Sequence, residues 1–426
     1  MQQRTTTARS ARSAWAWIPT LYFGQGIPYV VVMALAVIMY KKLGLSNSDI
    51  ALYTSWLYLP WVIKPLWSPF VEMFRTKRFW ILAMQLIIGT GFALVALTLP
   101  TSHFVQLTLA LFWLIAFSSA THDIAADGFY MLALKESQQA AFVGVRSTCY
   151  RIAMIAGQGS LVYIAGHFEE STGDVVLAWS VVFFILATLF GSLFIYHKWV
   201  LPLPTGDHAI VDKQPPWQQF AAVFIAFMRK KEILAILAFL LLFRFAEAQL
   251  VKLAAPFLLD APTRGGLGLT TQGVGVVYGT VGVIALTLGG LLGGYAISRW
   301  GLKRLLWIMV MAVNIPNAVY VYLALALPTD LTLISSAIAI EQFGYGFGFS
   351  AYLMFMIMVA DGEHKTAHYA ICTGFMALGM MLPGMVSGWI QEQLGYLNFF
   401  IWVCIATIPS FIAAAFIQVR PEFGRR

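Results

Sequence analysis

Four charged residues lie deep inside long apolar runs, and their types suit the handling of anions and protons. Arg151 falls in a run over 141–166, Arg244 and Glu247 in one over 233–259, and Glu341 in one over 333–359. On a helix rising about 1.5 Å per residue, Arg151 stands about 15 Å, Arg244 about 17 Å and Glu341 about 12 Å from the start of its run. A charged side chain at such depth costs about 2.5–3.5 kcal/mol or more on insertion scales, so each needs a partner or an aqueous cavity. An arginine does not discharge and presents a rigid fork of donors, which suits it to grip a carboxylate or a phosphate.

Arg244 and Glu247, three apart, can meet on one helical face. Either a substrate anion competes with Glu247 for Arg244, or the two form a fixed structural pair; Lys252 is displaced toward the other end of the run. Glu341, Tyr345, Gly348 and Tyr352 fall along one stripe. That stripe either lines a cavity, with a carboxylate beside hydroxyls, or packs on another helix through Gly344, Gly346 and Gly348. Arg151 shares a face with Ser147 and Gln158, which reads as a polar wall, or as one end of a bridge to Asp123. Asp123, Asp127 and Tyr130 share another face and suit a proton relay or a gate latch, with Lys64 as their partner, while Arg146 near a helix end can extend its head group to water. Tyr22, Tyr29, Trp56 and Trp61 could stack on sugar faces or form an interfacial belt. His364 and His368 follow Glu363 at helical spacing without a third ligand, so a solvated connector is expected and no metal. No GxxxxGK[ST] loop is present, and the GxGxG spelling at 344–348 lies inside an apolar run, so neither ATP nor another cofactor is expected.

The elements that carry these residues follow from composition. Of 426 residues 60% are hydrophobic and 11% charged, with a mean hydropathy of +0.77. Soluble domains carry roughly 25% charged residues, so the chain belongs in a bilayer. Spanning helices need about 20 apolar residues, and twelve runs qualify, at 15–40, 50–71, 79–99, 104–133, 141–166, 175–198, 233–259, 271–297, 303–327, 333–359, 369–390 and 398–418. The longest connector, 199–232, separates six from six. Within it Trp217, Phe220, Phe224 and Met228 precede Arg229, Lys230 and Lys231, which reads either as an amphipathic helix on the membrane face or as an early start of the seventh span. The expected organisation is an N-terminal segment 1–14, a six-helix half 15–198, the linker 199–232, a second half 233–418 and a tail 419–426.

If the N-terminus is cytoplasmic, nineteen Lys and Arg fall in cytoplasmic segments against Lys41, Lys42 and Arg264 on the other side. That bias puts both termini in the cytoplasm. The bases are scattered over short connectors, so nucleic-acid binding is not expected. Cys149, Cys372 and Cys404 sit in apolar runs and read as small core residues.

The connector after the second run of each half repeats a cue: Gly294-Tyr295-Ala296-Ile297-Ser298-Arg299-Trp300-Gly301-Leu302-Lys303-Arg304, and more weakly Ser68-Pro69-Phe70-Val71-Glu72-Met73-Phe74-Arg75-Thr76-Lys77-Arg78. This is similar to the GxxxDRxGRR signature of the major facilitator superfamily, with Ser298 and Glu72 in the place of its Asp. Gly24-Gln25-Gly26-Ile27-Pro28, Lys64-Pro65-Leu66-Trp67-Ser68-Pro69, Thr121-His122-Asp123-Ile124-Ala125-Ala126-Asp127-Gly128 and Tyr150-Arg151 look like the branch of AmpG-type muropeptide permeases and acetyl-CoA transporters. His122 departs from that pattern, where Gln is expected.

The resemblance implies an all-α membrane protein with two pseudo-symmetric six-helix halves, in the bacterial inner membrane, importing a polar anionic solute such as an anhydro-muropeptide with protons, as a monomer among lipids. On the residues above, Arg151, Arg244, Tyr345, Gln25, Tyr22 and Gln158 are expected to bind substrate, and Glu247, Glu341, Asp123 and Asp127 to couple protons. Lys64, Asp123, Arg299 and Arg75 are expected to form the cytoplasmic gate. Another sugar or an acyl-coenzyme A solute stays open, as does a membrane receptor or enzyme, although no nucleophile with a base is visible.

Overall fold

The computed structural model describes residues 13–425 apart from 135, 205, 208–215 and 362–364. The N-terminal basic segment to residue 12, Lys135, Lys213, His364 and Arg426 lie outside the described residues, as do the side chains of Glu72, Trp217 and Phe220. Among the described residues the chain is helical, and nine stretches are long and apolar enough to cross a membrane. It is an integral membrane protein.

In chain order the elements are α1 (Ala14–Lys42), α2 (Asn47–Trp56), α3 (Leu59–Met73), α4 (Lys77–Thr98), α5 (Phe104–Ala133), α6 (Glu136–Ile155) and α7 (Leu161–Thr172). Then follow α8 (Val175–Val200), α9 (Pro216–Met228), α10 (Ile233–Leu242), α11 (Phe245–Leu259), α12 (Thr271–Trp300), α13 (Leu302–Asn314), α14 (Ala318–Ala326), α15 (Leu331–Val359), α16 (Lys365–Ile405) and α17 (Ile408–Phe416). Polar caps start several of them: Ser46 accepts from Asp49 N, Asp174 from Leu177 N, Thr270 from Gly273 N and Asp330 from Thr332 N. Each satisfies a backbone donor that the first helical turn leaves open.

Several expected spans are broken. The run 50–71 splits at Leu57 and Tyr58 into α2 and α3, and 233–259 splits at Arg244. The last two runs form one stretch, Ala367–Phe416, turned at Gly395, whose φ of 72° belongs to the left-handed region that glycine enters freely. α9 is a helix of its own, because Glu232 at φ 61° interrupts the backbone before α10. The seventh run therefore does not begin within α9.

The first and last described helical segments meet the bundle at one end, here the near end: Tyr196 donates to Ala16 O, and Leu302 N to Phe423 O. At the far end a single apolar core joins residues from both sides of the 199–232 connector, for example Val37 and Phe92 with Leu253 and Phe400. At the near end the core divides, one part around Trp17, Phe129 and Tyr130, the other around Phe239, Met309 and Tyr352. Glycines allow the far-end closure. Gly279 of α12 touches the Gln158 carbonyl, and Gly388 of α16 touches the Asn47 carbonyl, both closer than any Cβ could stand. A Gly279→Val protein is therefore expected to lose the far-end seal while remaining folded, which labelling of cysteines buried in that seam would detect; unchanged labelling would contradict the close approach.

Candidate functional site

Arg244 occupies the break between α10 and α11, as the residue that precedes the first turn of α11 (φ −106°, ψ 18°). The break brings Glu247 back over it. Arg244 Nε donates to Glu247 Oε2 at 2.8 Å and Nη2 to Oε1 at 2.9 Å, and Nη2 also donates to the Tyr345 hydroxyl at 2.6 Å. The guanidinium lies 4.9 Å from the centre of the Phe349 ring. A two-point fork of this kind is the strong form of a charge-assisted hydrogen bond. Glu247 also sits in the first turn of α11, where the helix end favours negative charge.

Two adjoining cavities meet at Arg244. The deeper, of about 140 Å³, is lined by Arg244, Glu247, Glu341, Tyr345, Gln158, Tyr278 and Tyr320 among others. The second, of about 390 Å³, continues toward the near end past Trp61, Lys64, Ser68, Asp127, Tyr369 and Thr373. Tyr29, Tyr58, Arg244 and Met380 line both. Tyr29 meets Trp61 edge-on at 5.2 Å and lies 6.5 Å from Tyr150, so aromatic faces and edges surround the junction. Turns of π-helix over Val31–Leu35, Ala156–Ser160 and Gly275–Gly282 interrupt the three helical paths beside the deeper cavity. Such bulges free backbone groups and redirect side chains, here Met33, Gln158 and Tyr278 toward the cavity.

The tertiary arrangement sorts the expected site residues. Arg244, Glu247, Glu341, Tyr345 and Gln158 come together. Glu341 accepts from Gln342 at 2.9 Å, and it is Tyr345, not Glu341, that reaches Arg244. The Glu341 stripe divides: Tyr352 donates to Leu240 O and belongs to the near-end core, and Gly348 packs on α13. Arg151 lines neither cavity and makes no bridge to Asp123. Its Nη2 would lie 3.2 Å from a Cβ placed on Gly290, so it faces the backbone of α12 across the α6–α12 seam. Gln25 is buried, and its Oε1 has no hydrogen-bond partner among the described residues.

Nearer the termini, Asp123 accepts from Trp61 Nε1 at 3.3 Å and lies 3.6 Å from Lys64 Nζ. This pair joins α3 to α5, so it does not cross between the segments before and after the connector. Asp127 pairs with Arg146 at 2.8 Å and accepts from Tyr22 at 3.3 Å, and Arg146 stacks over the Tyr22 ring at 4.5 Å. Arg146 thus pairs with a carboxylate while staying partly exposed, because Tyr22 and Asp127 stand across from its helix. Tyr22 is buried beneath it and lines neither cavity. Arg75 lies over Phe79, and Arg299 is exposed with no ion pair among the described residues, so neither is joined to the site. No group of three His, Cys, Asp or Glu among the described residues is placed to hold a metal. His122, where the pattern expects Gln, shares a buried hydrogen-bond network with Gln85 and His197.

The far end carries polar clusters that sequence reasoning treated only as loop charges. Lys41 pairs with Asp260 at 2.6 Å; Asp260 accepts from Tyr396, and Asn47 donates to Gln391 and to Tyr396. Ser48 donates to Glu392 from its backbone at 2.9 Å and also from its hydroxyl. Glu169 accepts from Thr271 at 2.6 Å and Trp179 at 2.9 Å, with Lys42 at 3.1 Å. The Lys41–Asp260 pair, the Asn47 and Ser48 bonds and the Thr271–Glu169 bond tie residues before the connector to residues after it.

The chain matches the Major Facilitator Superfamily over residues 20–367. Among curated proteins it is 27% identical over 370 residues to the anhydromuropeptide permease of Escherichia coli (strain K12), covering 86% of this chain and 72% of that one. A solved point mutant of the nucleoside transporter NupG superimposes with a TM-score of 0.71 at 17% identity over 94% of this chain and 97% of that chain. A bacterial homologue of the human lysosomal transporter Spinster, inward-facing and unoccupied, superimposes with a TM-score of 0.69 at 16% identity, over 95% of each chain. Discontinuous helices around a buried charged cavity are the usual construction of secondary transporters. On this match and this fold, the chain belongs to the major facilitator superfamily.

Proposed function

We propose that the protein is a proton-coupled importer of a polar anionic solute of the anhydro-muropeptide class, working by alternating access. On this reading twelve spans form two six-helix halves, both termini are cytoplasmic, and the membrane is a bacterial inner membrane. The 50-residue stretch Ala367–Phe416 then counts as two spans turned at Gly395, and the broken pairs α2–α3 and α6–α7 as one span each. The observation that carries the reading is the buried Arg244–Glu247–Tyr345 cluster, joined to a cavity that extends toward the near end while the far end is tied shut. A substrate carboxylate can replace Glu247 on the Arg244 fork once Glu247 takes a proton, so proton and substrate arrive together. The aromatic junction of Tyr29, Tyr58 and Trp61 suits the faces of pyranose rings. The likeness to an anhydromuropeptide permease supports the solute class.

Uptake of labelled anhydro-muropeptide into vesicles, with an imposed inward proton gradient, tests the function. Accumulation that collapses with a protonophore is expected, and binding without accumulation would indicate a receptor instead. Glu341→Gln adds a second test. A permanently neutral side chain in the deeper cavity is expected to preserve solute exchange within about threefold, a difference of less than about 1 kcal/mol, and to remove accumulation. Accumulation at the wild-type level would rule Glu341 out as a coupling group.

A further inference from the structure

Lys252 stands on α11 beyond Glu247, on the far-end side of the cavity. Only 1% of it is exposed. Its Nζ donates to Thr54 Oγ1 of α2 at 2.9 Å and lies 5.1 Å from the centre of the Tyr58 ring, and no carboxylate lies within 4.0 Å of it among the described residues. An ammonium has several donors and no acceptor, yet one hydroxyl serves it here. Beside it Ser55 Oγ, fully buried, has no hydrogen-bond partner among the described residues. A Cβ on Gly384 would stand 2.7 Å from Ser55 Oγ and 3.6 Å from Lys252 Cε, so the end of the lysine chain lies beside the backbone of α16.

The charged groups on the surrounding elements are committed elsewhere. On α11 and at its start, Glu247 holds Arg244. From α1, Lys41 is on Asp260 and Lys42 on Glu169; from α16, Glu392 is on Ser48 and Tyr396 on Asp260; Asp49 of α2 is bound by Ser46. α17 and the start of α12 bring no ionisable side chain to this helix. Among the described residues Tyr58 is the one titratable side chain found against the amine, and it lines both cavities.

We propose that Lys252 carries a proton through the far-end gate, taking it up from the far-side solution when that end is open and releasing it into the cavity as the end closes. The proposal rests on the transport reading above. With the seam closed, a charged amine loses water and gains one hydroxyl, a cost that is avoided by opening the seam or by discharging the amine. Lysine can discharge, whereas arginine cannot. The proton leaves Nζ on the Tyr58 side and is accepted by a carboxylate of the deeper cavity, Glu247 or Glu341. Closing is thereby linked to release of one proton, and acid on the far side favours the open gate.

The test is site-directed labelling in membrane vesicles of known orientation, with Cys149, Cys372 and Cys404 replaced by Ala. Ala51→Cys, fully buried on the Thr54 face of α2, reports opening of the seam, and Ala261→Cys, exposed at the far end, corrects for thiol reactivity. The ratio of the two labelling rates with an impermeant maleimide is expected to rise between pH 8 and pH 6 with Lys252, by up to about tenfold per pH unit for one linked proton. With Lys252→Met the ratio is expected to stay low and flat, and with Lys252→Arg high and flat. A pH-independent ratio in the Lys252 protein, or the Lys252 slope retained in either variant, overturns the proposal. Muropeptide uptake measured in the same vesicles separates the two readings: uptake with a flat ratio removes this proposal alone, and a pH-dependent ratio without uptake removes only the solute assignment.

Discussion

Gradient-driven uptake by an Arg244→Ala protein is expected to fall by at least about a hundredfold, since the change leaves Glu247 buried without its cation at a cost of about 3–5 kcal/mol. The geometry explains why the effect should be large. Both oxygens of Glu247 are engaged by the Arg244 fork, and Tyr345 loses its charged donor in the same step. Lysine is expected to rescue poorly, because a point charge cannot reproduce two parallel bonds and a third to Tyr345. Removing both charges together, as Arg244→Met with Glu247→Met, should restore thermal stability without restoring uptake, because a paired apolar replacement leaves no orphaned charge. Unfolding temperature and vesicle uptake measured on the same preparations separate the two effects. Uptake near the wild-type level in Arg244→Ala would remove the pair from the transport site.

Asp260→Asn is expected to shift the protein toward a state open at the far end, by about a hundredfold or more in the equilibrium. Asp260 is buried, holds Lys41 at 2.6 Å and accepts from Tyr396, which in turn receives Asn47. A neutral amide keeps the bond to Tyr396 but leaves the Lys41 ammonium with Asn47 alone. Distances between spin labels on Ser171, exposed in the last turn of α7, and Thr329, exposed in the connector after α14, should lengthen in the variant. Arg264, largely exposed and 3.9 Å from Asp260, serves as the control: its removal should change little, as solvent-exposed pairs contribute about 0–1 kcal/mol. An unchanged distance distribution in Asp260→Asn would mean that the glycine-mediated contacts, and not the polar cluster, hold the end shut.

Local spacing made part of the site legible. Arg244 and Glu247 are three residues apart, and Glu341 and Tyr345 four apart; both pairs line the deeper cavity. The break that aims Arg244 was not legible, since neither glycine nor proline stands at 242–246 to mark it. Arg151, expected at the same level, lines neither cavity. Depth alone placed it with Arg244, but depth fixes a level in the bilayer and not a direction, and its helix turns it toward the α12 backbone.

By itself the sequence determined that this is a helical membrane protein, roughly where its apolar runs begin and end, and that ionisable groups sit at the depth of a transport site. Those properties depend on residue type and on separations of a few residues, which helix geometry converts directly into position. Which charge meets which was decided by the tertiary structure. Lys41 finds Asp260, Asn47 finds Gln391 and Lys252 finds Thr54, each across more than a hundred residues of chain. Apolar helices in lipid gain little from one rotation over another on hydrophobicity alone. The faces that meet are selected by small-residue contacts such as Gly279 on Gln158 and by polar groups that must find partners, and both exist only once the helices are packed.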